Sequence, residues 1–259
     1  MLVQTILSVL ASVLVAAPAT TSSGQTEYVC PPCGHDCLKT VYHEPGACGE
    51  CGMKLITLAE ALNQPAMQQA TQDPKQVAIL VFEGVQIIDF TGPWEILGQA
   101  GYHVFTVSLE AKPLATVFGM KLTPDYALGR HPKPDIVVVP GGQVFTTQRD
   151  PKVQEWLRQQ AKDAKVVLSV CNGAFILAKT GLLNGLEATT TRGLVDGLAN
   201  AGADITVVRD VRYVDNGKVV TSGGLSAGMD AALHVVSRLE GQATAKRIAQ
   251  SIEYAWNED

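Results

Sequence analysis

The chain has 259 residues, 46 % of them apolar and 17 % charged, with a net charge of −5. That length fits one medium domain plus a smaller module, and the composition excludes a disordered chain. Lys and Arg form no cluster of five or more, which argues against nucleic acid as a partner.

The largely apolar run Leu2 to Ala17 is short for a membrane span. Ala17-Pro18-Ala19 supplies the small residues of a cleavage site, and polar residues 20–26 follow. Residues 1–19 therefore read as a signal peptide. The expectation is a periplasmic or secreted protein with no stable membrane span after cleavage. The n-region carries only the terminal amine as its charge, so a retained N-terminal anchor stands as the alternative.

Five of the six cysteines lie between Cys30 and Cys51, and Cys171 stands alone. Cys30-Pro-Pro-Cys33 and Cys48-Gly-Glu-Cys51 are two Cys-x2-Cys pairs separated by fourteen residues. Each pair can form a turn whose N–H groups point at sulfur, and two such turns give tetrahedral coordination by four thiolates. Zinc or another soft metal is the expected ligand of Cys30, Cys33, Cys48 and Cys51, with Cys37, His35 and His43 as spare donors. Disulfides are the alternative, because export permits oxidation. A Cys-rich module over 27–58 is followed by a Gln-rich, partly helical linker over 59–75, broken by Pro65 and Pro74.

From Gln76 apolar strands alternate with helices. Val77 to Phe82 is a continuous apolar run, the pattern of a parallel strand buried on both faces. A helix is expected over Pro93 to Gln99, with Pro93 in its first turn, then strands over Tyr102 to Leu109 and Asp135 to Val139. Asp150 and Pro151 read as N-cap and first residue of a helix running to about Lys162. The strand Lys165 to Val170 passes straight into Cys171-Asn172-Gly173 and a helix to about Thr180. A hairpin is expected between Val211 and Thr221 around Asp215-Asn216-Gly217. Two helices, Ser226 to Leu239 and Ala243 to Tyr254, close the domain. This order predicts an α/β domain over 76–256, with an open, mostly parallel sheet covered by helices on both faces. Sites in such folds lie beyond the carboxyl ends of the strands.

That rule selects Cys171, Gly141 and Gly142 together. Cys171 occupies a strand-to-helix elbow, where a tight turn raises the side chain above the sheet and a helix N-terminus favours thiolate. A buried cysteine acting as a small hydrophobe is the plainer alternative. Gly141 and Gly142 end a strand without side chains, so their N–H groups, with that of Asn172, are candidate oxyanion donors; an ordinary tight turn is the other reading. Asp89 is either a helix N-cap or a buried acid facing the site, and periodicity alone favours the cap.

Several segments resemble the ThiJ/PfpI family: Val77 through Glu95, Pro140-Gly-Gly142, Ser169-Val-Cys-Asn-Gly-Ala174, Gly181 through Thr190 and Ser222 through Ala231. They are most similar to the branch holding isonitrile hydratase and the amidotransferase-like domains of AraC-type regulators. The resemblance covers Gln76 to about Tyr254. It implies a flavodoxin-like sheet, a homodimer, Cys171 as nucleophile and Asp89 as the acid in contact with it. Thr191 stands where many relatives carry His, and Asn172 where isonitrile hydratases carry Thr. Residues Tyr28 through Pro31 and Cys48 through Leu55 also resemble a short heavy-metal-binding domain.

The leading expectation is a Cys-dependent hydratase or hydrolase acting on a small electrophile, isonitrile hydratase-like, with no cofactor at Cys171. A redox or small-ligand sensor on the same fold is the alternative, and a metal-handling protein is a third reading.

Overall fold

In the computed structural model the description covers residues 26–31, 40–62 and 74–257. Cys33, His35 and Cys37, the export segment and the middle of the linker lie outside those residues. The chain divides into two compact units, one up to Pro74 and one from Lys75.

The first unit is a small antiparallel sheet. Its strands are β1 (Tyr28–Val29), β2 (Val41–Tyr42) and β3 (Ile56–Thr57), with β1 central. Helix α1 (Leu58–Leu62) opens on a reciprocal cap. The Glu60 N–H donates to Thr57 Oγ1 at 3.1 Å and the Thr57 N–H to Glu60 Oε2 at 2.9 Å. Among the described residues, Cys30, Cys48 and Leu55 form its buried cluster, with Tyr28, Tyr42 and Cys51 packed against them. So small a core needs a cross-link or a metal to hold it.

The second unit carries seven strands in one sheet. They include β4 (Gln76–Leu80) and β5 (His103–Ser108), with a side hairpin of β6 (Leu114–Ala115) and β7 (Lys121–Leu122) standing apart. Then come β8 (Tyr126–Ala127), β9 (Ile136–Val139) and β10 (Val166–Ser169). A separate parallel pair is formed by β11 (Glu187–Ala188) and β12 (Thr206–Val207). The main sheet ends with β13 (Tyr213–Asp215) and β14 (Val219–Ser222). Its order is β13-β14-β10-β9-β4-β5-β8, parallel throughout except for the β13–β14 hairpin. The central strands β9 and β10 are buried along their whole length, as apolar runs covered on both faces must be. Each buried Ile or Leu there contributes about 2 kcal/mol of hydrophobic stabilisation.

Helices α2 (Ile87–Gln99), α3 (Pro151–Asp163), α4 (Gly173–Thr180), α5 (Val195–Ala199), α6 (Ser226–Glu240) and α7 (Gln242–Ser251) cover the sheet. Asp150 caps α3, accepting from the Lys152 N–H at 2.8 Å, with Pro151 at the first helical position. Helix α2 differs from the sequence expectation. It begins at Ile87, six residues before Pro93, so Pro93 lies inside it and Asp89 lies in its first turn. An interior proline loses the N–H that would have bonded four residues back and crowds the carbonyl there, a cost opposed by the close packing of α2 on α6, where Gly92 sits against Met229.

Close approach of α4 to the sheet sets the elbow. A Cβ on Gly173 would lie 2.1 Å from the carbonyl oxygen of Val139, a backbone atom that cannot step aside. Gly173→Ala is expected to lower stability by about 3 kcal/mol in denaturant unfolding. Gly193→Ala, whose Cβ would meet nothing within 4 Å, is the control and should shift it by under about 0.5 kcal/mol.

Candidate active site

Four strands of the main sheet, β4, β9, β10 and β14, end at one place. The segments leaving their carboxyl ends converge there. Cys171 follows β10 by two residues and has φ 57°, a left-handed conformation that costs a non-glycine residue on the order of 1–3 kcal/mol. Its N–H donates to the Gly223 carbonyl at 3.1 Å, and its own carbonyl accepts from Thr190 Oγ1 at 2.8 Å. Two neighbouring segments therefore hold the turn.

Asp89 reaches the same point from α2 and is fully buried. Its Oδ2 accepts from the Gly141 N–H at 3.2 Å and its Oδ1 from the Leu225 N–H at 3.1 Å, and the carboxyl also meets the Cys171 thiol. Asp89 is thus an acid inside the site and not a helix cap; Gln86 occupies the cap position.

The glycine pair serves a different end from free oxyanion donation. The Gly141 N–H is engaged by Asp89, and the Gly142 N–H donates to Asn172 Oδ1 at 2.8 Å. Asn172 Nδ2 returns a bond to the Gly142 carbonyl at 2.9 Å. These N–H groups position the acid and the elbow. Absence of side chains is still required, because a Cβ on Gly141 would lie 2.2 Å from Asn172 Oδ1 and 2.9 Å from Cys171 Cβ. The donors that meet the sulfur are the N–H of Asn172 and the hydroxyl of Thr191.

Two residues that the sequence reading passed over complete the site. A Cβ on Gly224 would lie 3.3 Å from Cys171 Sγ, so this glycine leaves the sulfur open on that side. Leu225 holds φ 56° and ψ −111°, a second strained non-glycine turn, and presents its N–H to Asp89. The available signal was Gly223-Gly224 at the end of an apolar strand, the same feature that drew attention to Gly141-Gly142. Beside Thr191, Gly224 and Leu225 opens a cleft of about 770 Å³. No histidine is seen against the sulfur among the described residues. His131 meets the Trp156 indole and the Pro132 carbonyl, His234 meets Asp215, and His103 meets Gln76.

Burial pushes the Asp89 carboxyl up to about 6, with its two N–H donors opposing. Burial, then the charge of Asp89, pushes the Cys171 thiol up to about 11, against the lowering pull of Asn172 and Thr191. Between those values the pair carries one proton, on sulfur. The thiolate expected from the helix N-terminus alone is therefore not the resting form.

In the N-terminal unit the sulfurs of Cys30, Cys48 and Cys51 all lie within 4.8 Å of one another, and none of these cysteines is in a disulfide. Zinc–sulfur bonds of about 2.3 Å put sulfurs on one ion roughly 3.8 Å apart, so the donor set fits a soft divalent ion. The N–H groups of Cys51 and Glu50, with the Tyr42 hydroxyl, lower the Cys48 thiol to about 6, the thiolate form a metal needs. Exposed His43 is not in this group.

A parallel α/β sheet with a strained cysteine at the strand-to-helix elbow and a buried acid against it defines the nucleophile-elbow class. Residues 75–238 match the DJ-1/PfpI family, and the chain belongs to that family. It is 36 % identical to isonitrile hydratase of Pseudomonas putida over 182 residues, covering 70 % of this chain and 78 % of the relative. It is 24 % identical to the HTH-type transcriptional regulator GbdR of Pseudomonas aeruginosa, over 73 % of this chain and about half (53 %) of the regulator. Among solved structures, a ThiJ/PfpI family protein from Pseudomonas syringae superimposes with a TM-score of 0.68 at 27 % identity, over 76 % of this chain and 82 % of that one.

Asp89→Asn tests the paired titration. The folded pKa of Asp89 lies above its unfolded value of 3.8. The native state therefore holds the extra proton between about 4 and 6, and the contribution of Asp89 to wild-type stability should fall as pH rises through that window. In Asp89→Asn that slope should vanish from urea midpoints measured against pH. Alkylation of Cys171 by iodoacetamide at pH 8 should become several-fold faster, because the charge that disfavours thiolate is gone. An unchanged slope and an unchanged or slower alkylation would show that Asp89 does not titrate against the thiol.

Proposed function

We propose that the Cys171–Asp89 pair catalyses hydration of a small electrophile of the isonitrile type. The observation that carries this reading is the buried carboxyl of Asp89 in contact with the Cys171 thiol, a proton acceptor where no histidine is found among the described residues. Similarity to isonitrile hydratase over most of both chains supports it.

The chemistry balances without a cofactor. As sulfur attacks the terminal isonitrile carbon, Asp89 accepts the thiol proton and delivers it to that carbon, giving a thioimidate, Cys–S–CH=N–R. Water then adds to the same carbon. The carbon–sulfur bond breaks, the proton returns to sulfur, and an N-substituted formamide leaves. One water is consumed in all. The Asn172 N–H and the Thr191 hydroxyl are the groups available to steady charge beside the sulfur. Gly141 and Gly142 act through Asp89 and Asn172 as positioning residues.

In the same reading the chain is exported, and Cys30, Cys48 and Cys51, with Cys33 as the fourth thiolate of the sequence motif, hold zinc or another soft ion. Its contribution is the cross-link that a module of this size lacks. A second reading, a small-ligand or redox sensor on the same fold, draws on the similarity to a transcriptional regulator over half that protein's length.

Steady-state turnover of an alkyl isonitrile to its formamide separates the two. Wild type should be active, Cys171→Ala inactive, and Asp89→Asn slower by about 100-fold or more in kcat, the usual size of an acid–base contribution. Cys171→Ala activity equal to wild type would remove the nucleophile assignment, and no turnover by wild type favours the sensor. For the N-terminal unit, tag-free protein recovered from the cell envelope should begin near Thr20 and carry one zinc per chain. Cys48→Ser should lose that metal. Two disulfides by intact mass would overturn the metal assignment.

A further inference from the structure

The cleft beside the sulfur has a wall that a plain hydrocarbon isonitrile would not use. Arg192, Arg209 and Arg212 line it, with Asp196 and Asp210, whereas pockets for apolar ligands are lined mostly by apolar side chains. Two of the guanidinium groups have a carboxylate partner at close range. Arg209 Nη2 lies 2.7 Å from Asp196 Oδ1, and Arg212 grips Asp230 while donating to Ser226 Oγ at 3.0 Å.

Arg192 is held less tightly. Its Nε lies 3.8 Å from Asp210 Oδ1, and the two side chains are 90 % and 80 % exposed. A pair so open to water contributes little, so a ligand carboxylate can replace Asp210 at small cost. Arg192 also directly follows Thr191, whose hydroxyl meets Cys171 Sγ. The cation is therefore carried on the residue next to one that meets the sulfur.

We propose that this cleft takes an anionic electrophile, a small isocyano acid, and that Arg192 is the specificity-determining residue that pairs with its carboxylate. The planar guanidinium matches a carboxylate with two parallel hydrogen bonds, which fixes the substrate's orientation as well as its charge. In this proposal the carboxylate sits on Arg192 and the isonitrile carbon is directed past Thr191 and Gly224, which line the cleft and adjoin the Cys171 sulfur. Hydration of isocyanoacetate in this pose adds one water and yields N-formylglycine. The electrophile in this inference rests on the hydratase reading, whereas the anion rests on the cleft alone.

The test compares kcat/KM for isocyanoacetate and for its methyl ester in wild type, Arg192→Gln and Arg192→Lys. Wild type should favour the acid by up to about fivefold, the range of an ion pair on an exposed guanidinium. Arg192→Gln should slow the acid far more than the ester and collapse that ratio, and Arg192→Lys should recover part of it. A wild type that prefers the ester, or a ratio that survives in Arg192→Gln, overturns the proposal. Should neither compound be turned over, the hydratase reading fails, and calorimetry on Cys171→Ala reads the cleft separately. Binding of N-formylglycine in preference to its methyl ester, weakened about two- to fivefold by adding Arg192→Gln, would sustain the anion site. No preference for the acid would end it.

Discussion

The site depends on one buried carboxyl group. Asp89 has no exposure to solvent, and an isolated ionised carboxylate in such a place is costly unless hydrogen-bonded. Its two oxygens are met by N–H groups from Gly141 and Leu225, residues that belong to different strand ends and lie far apart in the chain. The acid therefore ties the start of α2, the end of β9 and the start of α6 into one cluster, with the Cys171 elbow inside it. Burial still wins over the two donors, since the carboxyl remains raised to about 6. That residual instability makes the group a usable proton carrier near neutral pH.

Two strained turns flank that carboxyl, and the rest of the domain over-determines them. Cys171 and Leu225 both hold φ near 57° without being glycine, at a cost of order 1–3 kcal/mol each. The elbow is fixed by β10, buried between β9 and β14, and by α4, which Gly173 lets settle onto the Val139 carbonyl. Leu225 is fixed by α6, whose Gly228 packs on Val170 so closely that a Cβ would lie 2.5 Å from its Cγ1. Packing of the sheet thus supplies the energy that keeps both turns in place. Rigid elements aim the thiol and the acid, and the exposed loops beside them shape the cleft.

Much of this was legible in the sequence. Apolar runs at Val77, Asp135 and Lys165 each marked a central strand, because a strand buried on both faces carries little else. Cys171 was legible because an apolar strand met a helix with no loop between them. Asp89 was harder. Pro93 pointed to a helix starting late, which would have left Asp89 as a cap, whereas the helix began at Ile87 and accommodated the proline inside. The glycine N–H groups were misjudged for a related reason: their acceptors, Asp89 and Asn172, come from other parts of the chain, and no local pattern reveals a partner fifty residues away. Leu225 gave no signal at all, since a leucine at positive φ looks like any other leucine. The cleft is likewise a product of three separated segments, near Thr190, Asp210 and Gly224.

The thiol itself shows why local rules were not enough. A helix N-terminus and a neighbouring N–H favour thiolate, and both the Asn172 N–H and the Thr191 hydroxyl act in that direction. Burial and the charge of Asp89 act the other way and are larger, so the thiol stands near 11. A cysteine so protected would be inert if nothing could take its proton. In the proposed reaction the group that suppresses ionisation at rest is also the base, so proton loss and carbon attack occur together without a free thiolate. Moving the proton from sulfur to Asp89 leaves the net charge of the pair unchanged, and the surrounding low-polarity packing need not accommodate a second anion. On that proposal the raised thiol is slow toward stray electrophiles and reacts with a substrate whose carbon can receive the same proton. A terminal isonitrile carbon, which is both attacked and protonated, meets that requirement.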